Sequence, residues 1–237
     1  MTINGTGSLS LQQWQHQFMA QAQKAEQSQY PEHQRHYWLG LRGWLRKVYQ
    51  QLEPLLGDEL DRIFDGFIAC HPLKSSNLDC FEAVFIEHLA QLKPKYVDVA
   101  KADYALYQSY YAADAKAFQF AAFSALSTKQ LDHTTFNLAP WFRWVESKQP
   151  LDEIWHAFKS GNTEAMEVLL RRKAKCSQVF FSVRPDFQPQ LIKASSQDIA
   201  LLNAINLNIP LANMGDWQAV LPAWIEKRMV DQFQVLH

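Results

Sequence analysis

Two histidines are the first side chains whose spacing could bind a metal. His33 and His36 lie three residues apart beside Glu32, and this spacing can place two imidazoles on one face of a helix. A metal site needs three or four convergent ligands, and this segment is polar and precedes the first apolar stripe. We interpret the two histidines as a surface pair, with a metal site as the less favoured alternative, and predict that the chain itself binds no metal or cofactor.

Motifs for covalent or nucleotide chemistry are absent from the sequence. The three cysteines, Cys70, Cys80 and Cys176, include no CxxC pair, so we expect buried free thiols rather than a disulfide framework or a zinc knuckle. The eight glycines form no GxGxxG or GxxxxGK pattern, and no GxSxG nucleophile elbow occurs. The sequence therefore predicts no catalytic residue.

A basic cluster lies at the C-terminal end of a predicted helix. A predicted strand hairpin follows that helix, which is the outline of a winged helix. The cluster could bind nucleic acid or an acidic partner, or it could be a solvated helix end whose cations stabilise the helix macrodipole. Nucleic acid is disfavoured because the chain has 23 Lys and Arg against 24 Asp and Glu, a net charge of -1. The cluster consists of Arg171, Arg172, Lys173 and Lys175.

Extended segments near the C-terminus could recognise a peptide. Residues 178–184 and 190–194 flank a proline-containing linker and predict a hairpin, and an aromatic-rich run predicts a further strand at 136–146. An open sheet edge can accept an extended peptide as an added strand. We predict the first hairpin strand as the receiving edge, with 136–146 as the second candidate. The predicted peptide-binding residues are Val179, Phe180, Phe181, Ser182, Val183, Arg184 and Arg143.

Two alternatives stay open for these residues. Phe180 and Phe181 could simply face the two sides of a buried strand. The guanidinium groups of Arg143 and Arg184 suit bidentate recognition of a peptide carboxylate, but both residues could also form an exposed surface pair.

Apolar residues at helical spacing predict the elements that position these residues. The predicted helices are 9–27, 38–52, 58–70, 78–92, 97–111, 151–159, 163–172, 197–206 and 217–233. We therefore predict a mainly α fold: a helical bundle over residues 1–133, followed by an α+β part over residues 134–237 with a small three-stranded antiparallel sheet, winged-helix-like in outline.

The composition is typical of a folded protein, and we expect it to be soluble. The chain has 237 residues, of which 48% are hydrophobic and 13% aromatic, enough for a sizeable core. It contains no run of about eighteen apolar residues, and its first ten residues are polar. We expect a cytoplasmic location and no membrane association.

The order of four segments resembles a known family. They read VYQQLEPLLGDELDRIF, HPLKSSNLDCFEAVFIEHLA, KPKYVDVAKADYALYQSYYAADA and QPLDEIWHAF, within residues 35–160. They are similar to helical partner subunits of multinuclear non-haem iron-dependent oxidases, which modify cysteines in ribosomally made peptides. Members of that family also carry an older label as DNA-binding domains. Two positions depart from its pattern: Gln50 stands where a proline is usual after Tyr49, and Glu82 and Ala83 stand where a glycine is usual.

The resemblance implies a non-catalytic role. The oxidase would hold the iron and do the chemistry, while this chain would form a 1:1 heterodimer with it and help to bind the leader of the precursor peptide. The eight tryptophans, more than a small bundle needs, favour such an interface. A DNA-binding transcriptional regulator is the alternative.

Overall fold

The protein was analysed as a computed structural model that describes residues 32–71, 81–184 and 187–236. The helix predicted at 9–27 and the start of the helix predicted at 78–92 lie outside these residues. Five helices form the first half of the described chain, in agreement with the predicted bundle. They are α1 (Glu32–Val48), α2 (Leu52–Leu56), α3 (Asp58–Cys70), α4 (Phe81–Leu92) and α5 (Val97–Tyr111).

The predicted helix at 38–52 is divided at its C-terminal end. Helix α1 stops at Val48, and α2 begins at Leu52. Pro54 lies in the first turn of α2, where the missing N–H would have no partner within the helix. Gly57 then turns the chain into α3 with a φ of 52°, a left-handed conformation that favours glycine.

Short helices and five strands follow. The further helices are α6 (Phe120–Ser124), α7 (Thr128–Asp132), α8 (Leu151–Lys159), α9 (Thr163–Arg171), α10 (Ser196–Asn206) and α11 (Leu221–Glu226). The strands are β1 (Thr134–Leu138), β2 (Arg143–Ser147), β3 (Gln178–Val183), β4 (Gln190–Lys193) and β5 (Val230–Val235). Strands β2, β3 and β4 form an antiparallel sheet in that order, and β1 pairs with β5 in a separate antiparallel ribbon. The predicted fold class is confirmed.

Two predicted elements are wrong in their bounds. The single strand at 136–146 is two strands of different sheets, because the chain turns where the N–H of Phe142 donates to the carbonyl of Ala139 at 3.0 Å. The helix at 217–233 ends at Glu226, and Arg228 follows with a left-handed φ of 57°. The last residues of that predicted helix belong to β5.

The three-stranded sheet separates two hydrophobic cores. One face contributes Val145, Phe180 and Leu191 to a core shared with the helices α1–α5, α8 and α9. The opposite face contributes Phe181 and Val183 to a core shared with α10 and α11. The first core contains residues from both sides of position 133, and the division into domains at that point stays a prediction.

None of the helices in the described ranges has the length and hydropathy that crossing a bilayer requires.

A buried carboxyl group joins α5 to the start of α2. Asp103 is 5% exposed and accepts hydrogen bonds from the backbone N–H and the Nε2 of Gln51, at 2.9 and 2.8 Å. It thereby satisfies N–H groups that have no partner within α2. Burial raises the pKa of Asp103 to about 8, although the hydrogen bonds from Gln51 act in the opposite direction.

We expect Asp103 to make the protein less stable as the pH rises. The folded state keeps a proton that the unfolded chain releases near its ordinary pKa of 3.8, so the free energy of unfolding falls between about pH 4 and pH 8. Asp103→Asn, which cannot titrate, should remove this fall, which amounts to about 4 kcal/mol between pH 5 and pH 9. Chemical denaturation of both proteins from pH 5 to pH 9 measures the free energy of unfolding at each pH. If it fell equally with pH in both proteins, Asp103 would not be the group that titrates.

Candidate functional site

The hairpin strand that was predicted to receive a peptide is the central strand of its sheet. Ser182 pairs with Arg143 of β2 on one side and with Leu191 of β4 on the other. The peptide-receiving role predicted for β3 is therefore wrong, because its backbone groups are used on both sides. Phe180, Phe181, Ser182 and Val183 are also buried, which confirms the alternative that the two phenylalanines face opposite sides of a buried strand.

Arg184 is a structural residue with partners of its own. Its Nη1 donates to the carbonyls of Ser109 and Ala112, both at 3.0 Å, and its Nη2 donates to Oδ1 of Asp114 at 2.6 Å. The side chain is 5% exposed and lies over the ring of Trp141. Arg184 thus caps the C-terminal end of α5, where carbonyls lack helical partners. Both earlier interpretations, a ligand of a peptide carboxylate and an exposed surface pair, are wrong for this residue.

One hydrogen bond shows which way the backbone of β3 points. The N–H of Ala194 donates to the carbonyl of Val179 at 2.9 Å, so the backbone groups of Val179 point toward β4. Successive residues of a strand direct these groups to alternate sides, so those of Phe180 point toward β2. Phe180 is paired with Val145, and Val145 therefore uses its own N–H and C=O on β3.

The outer side of β2 is consequently a free edge. Trp144 and Glu146 flank Val145 in the strand, so their N–H and C=O groups point away from β3. Within the described chain, no strand pairs with this side of β2. We call the outward-pointing backbone groups of Trp144 and Glu146 the β2 edge. The second strand candidate from the sequence, 136–146, contains this edge.

An open groove of about 300 Å³ lies between the β2 edge and the helices α4 and α5. Helix α5 runs antiparallel to β2: Oε1 of Gln108 accepts from Nε of Arg143 at one end, and Oδ2 of Asp98 accepts from Oγ of Ser147 at the other. Apolar groups line the middle of the groove. They belong to Ile86, Tyr104, Ala105 and Val145.

Arg143 gives one end of the groove an uncompensated positive charge. Its Nη1 donates to the carbonyls of Pro140 and Phe142, both at 2.8 Å, and in the described ranges no carboxylate lies within 4.0 Å of its guanidinium. Burial lowers the pKa of Arg143, because the half-buried cation has lost part of its hydration. Nε and Nη1 of Arg143 already have acceptors, whereas Nη2 has none among the described residues and can donate to a peptide carboxylate. A single charge-assisted hydrogen bond therefore fits this geometry, but the bidentate contact and a surface pair with Arg184 do not.

The groove residues other than Arg143 were not among the predicted site residues. Glu146 is exposed and Trp144 is 42% exposed, which is high for an aromatic side chain in a strand. The aromatic content of 136–146 was the available signal, but local sequence does not show which strand lies at the edge.

The basic cluster is exposed, and Arg172 forms an ion pair with Glu153. The exposed face of α9, the helix that precedes the hairpin, carries Glu164 and Glu167. Two carboxylates on that face would repel the phosphates of DNA. The arrangement favours a solvated helix end over a nucleic-acid interface.

We expect binding of this protein to random duplex DNA to be weak and nearly independent of salt between low and physiological concentration. A protein that neutralises several phosphates would instead show steep salt dependence. Fluorescence anisotropy with a labelled duplex measures how steeply the logarithm of the affinity falls with the logarithm of the salt concentration. A slope of several units that falls when Arg171 and Arg172 are both changed to Ala would favour the DNA-binding regulator.

The prediction of buried cysteines is wrong for two of the three. Cys70 and Cys176 are exposed, and Cys80 lies outside the described residues. The side chain of His33 also lies outside them. In the part of the chain that the structure describes, no three His, Cys, Asp or Glu residues are grouped as metal ligands would be.

Comparison with known proteins gives no match to any family model and none to a curated protein.

Proposed function

We propose that this chain is a non-catalytic partner subunit that binds the leader of a ribosomally made precursor peptide and docks on an iron-dependent oxidase. The observation that carries the peptide-binding part is the β2 edge beside its groove. An extended peptide hydrogen-bonded to Trp144 and Glu146 would become a fourth strand outside β2. Its alternate side chains would enter the groove or face solvent.

The edge has the properties that strand addition requires. Natural proteins protect exposed edges with proline, with charged side chains or by covering them, and β2 carries charges at Arg143 and Glu146. In β2 the outward-pointing residues are Trp144 and Glu146, and neither proline nor a second strand closes this side among the described residues. The adjoining apolar floor at Ile86 and Ala105 can bury side chains of the added strand.

Docking on an oxidase is supported by the resemblance of four segments to oxidase partner subunits. The short aromatic-rich C-terminal part resembles the partner protein of methanobactin biosynthesis, and we propose the same class of reaction, in which precursor cysteines become oxazolone and thioamide groups. An exposed aromatic cluster at the end of α5 also favours a protein interface. The rings of Tyr107 and Tyr110 lie 4.7 and 4.9 Å from that of Tyr111, and Tyr111 is 65% exposed.

On this proposal the neighbouring reading frames should encode an iron-dependent oxidase and a short cysteine-containing peptide, and co-expression with both tests it. We expect size-exclusion chromatography with light scattering to give a 1:1 heterodimer, with the iron in the oxidase and none in this chain when it is purified alone. Stoichiometric iron in the isolated chain would contradict the non-catalytic role. If the chain were monodisperse and eluted separately from the co-expressed oxidase, docking would be contradicted.

A further inference from the structure

The side chains of β2 alternate between two environments beside the edge. Val145 belongs to the core shared with the N-terminal helices, and Arg143, two residues away, points to the same face of the sheet. Trp144 lies on the opposite face, where its ring is 6.2 Å from that of Phe142, and Glu146 shares that face. The edge therefore presents Arg143 on the helix face and Glu146 on the other face.

These two charged residues lack a partner of opposite sign in the described chain. No carboxylate lies within 4.0 Å of Arg143, and no ammonium or guanidinium group lies within 4.0 Å of Glu146. They lie three positions apart in the strand, a separation of about 10 Å. By contrast, Lys101 of the same groove is 3.5 Å from Asp98 and is already paired.

We infer that the β2 edge selects a strand with one acidic and one basic residue three positions apart. This inference rests on the proposed peptide binding. Residues that lie directly opposite each other in neighbouring strands share a face. An acidic residue opposite Arg143 would therefore lie on the helix face, and a basic residue opposite Glu146 would lie on the other face, as the alternation within one strand requires.

The two positions between these charges are also specified. The residue opposite Trp144 would cover an exposed indole, which favours a large apolar side chain. The residue opposite Val145 would face Ala105 and Ile86, and the nearness of these side chains favours a small apolar residue there. A shift of one residue would put each side chain on the wrong face, so the pattern sets the register of the peptide as well as its affinity.

Fluorescence anisotropy of the full chain with labelled eight-residue peptides in a threonine and valine background tests the inference. The antiparallel probe has the core Lys-Ala-Leu-Asp, and the parallel probe has the core Asp-Leu-Ala-Lys. Each is compared with the same core after exchange of its acidic and basic residues, and with a neutral core in which threonine replaces both. We expect one of the two probes to bind about tenfold more tightly than its charge-exchanged form.

Variants of the protein reverse the expected preference. The double variant Arg143→Glu with Glu146→Arg should bind the charge-exchanged peptide more tightly. Because Arg143 has structural hydrogen bonds, the single variant Glu146→Arg at an exposed position provides a second test, and it should prefer an acidic residue where the wild type prefers a basic one.

The outcomes separate the two proposals. Equal binding of matched, exchanged and neutral peptides would overturn the charge rule and leave strand addition intact. Absence of binding by every peptide, including the neutral one, would overturn both the charge rule and peptide binding at this edge.

Discussion

Glu146→Pro is expected to weaken binding of the leader peptide at least thirtyfold, whereas Glu146→Ala should weaken it only about threefold. Both variants lose the carboxylate, but only proline removes the N–H that points away from β3. The proline ring also occupies the space that the peptide backbone would approach. The pairing of β2 with β3 should survive, because proline is tolerated where the N–H of an edge strand faces solvent.

Isothermal titration of the leader peptide into both variants measures the difference. Circular dichroism and the unfolding midpoint establish that Glu146→Pro remains folded. If folded Glu146→Pro bound the peptide as well as Glu146→Ala does, the added strand would not use this N–H. The proposal that the β2 edge binds the peptide would then be wrong.

Ser182→Pro is expected to destabilise the protein by about 3 kcal/mol or more, because it removes a ladder hydrogen bond from a central strand. Ser182 is fully buried and lies between Arg143 and Leu191 in the register. Loss of peptide binding by this variant would follow from unfolding of the sheet and would carry no information about the receiving edge.

The matched variant Ser182→Ala should be as stable as the wild type or up to about 1 kcal/mol more stable. The Oγ of Ser182 is buried and makes no hydrogen bond to any described residue, so its removal costs no interaction and relieves the burial of an unsatisfied hydroxyl. Urea denaturation of the wild type, Ser182→Pro and Ser182→Ala gives the change in the free energy of unfolding for each variant. A cooperative transition of Ser182→Pro at the wild-type midpoint would contradict the central position of β3.

The helical half was predictable because helical periodicity is a local signal. The stripes at 58–70, 97–111 and 151–159 correspond to α3, α5 and α8 with the same bounds. The break between β1 and β2 had a signal in Pro140 that the aromatic content outweighed. Strand β5 was read as a helix because Trp224 and Ile225, which belong to the short helix α11, extend an apolar pattern toward Val230.

The site was predictable only in part, because strand order and long-range partners are not local properties. The hairpin of β3 and β4 was expected, but nothing in its sequence shows that β2 would pair with β3 and leave it in the centre. Arg184 finds its acceptors 70 to 75 residues earlier in the chain. Arg143 lies in β2, within the strand predicted at 136–146, and its role in peptide binding stays a prediction. Trp144 and Glu146 were recognised only from the direction of their backbone groups.

Hydrogen exchange resolved to single amides is the most direct test of peptide binding at the β2 edge. The N–H groups of Trp144 and Glu146 point away from β3, and they should exchange rapidly in the free chain and become protected when a saturating leader peptide is added. The outward-pointing amides of β4, those of Leu191 and Lys193, should not change. Protection of the β4 amides with no change at Trp144 and Glu146 would contradict the account.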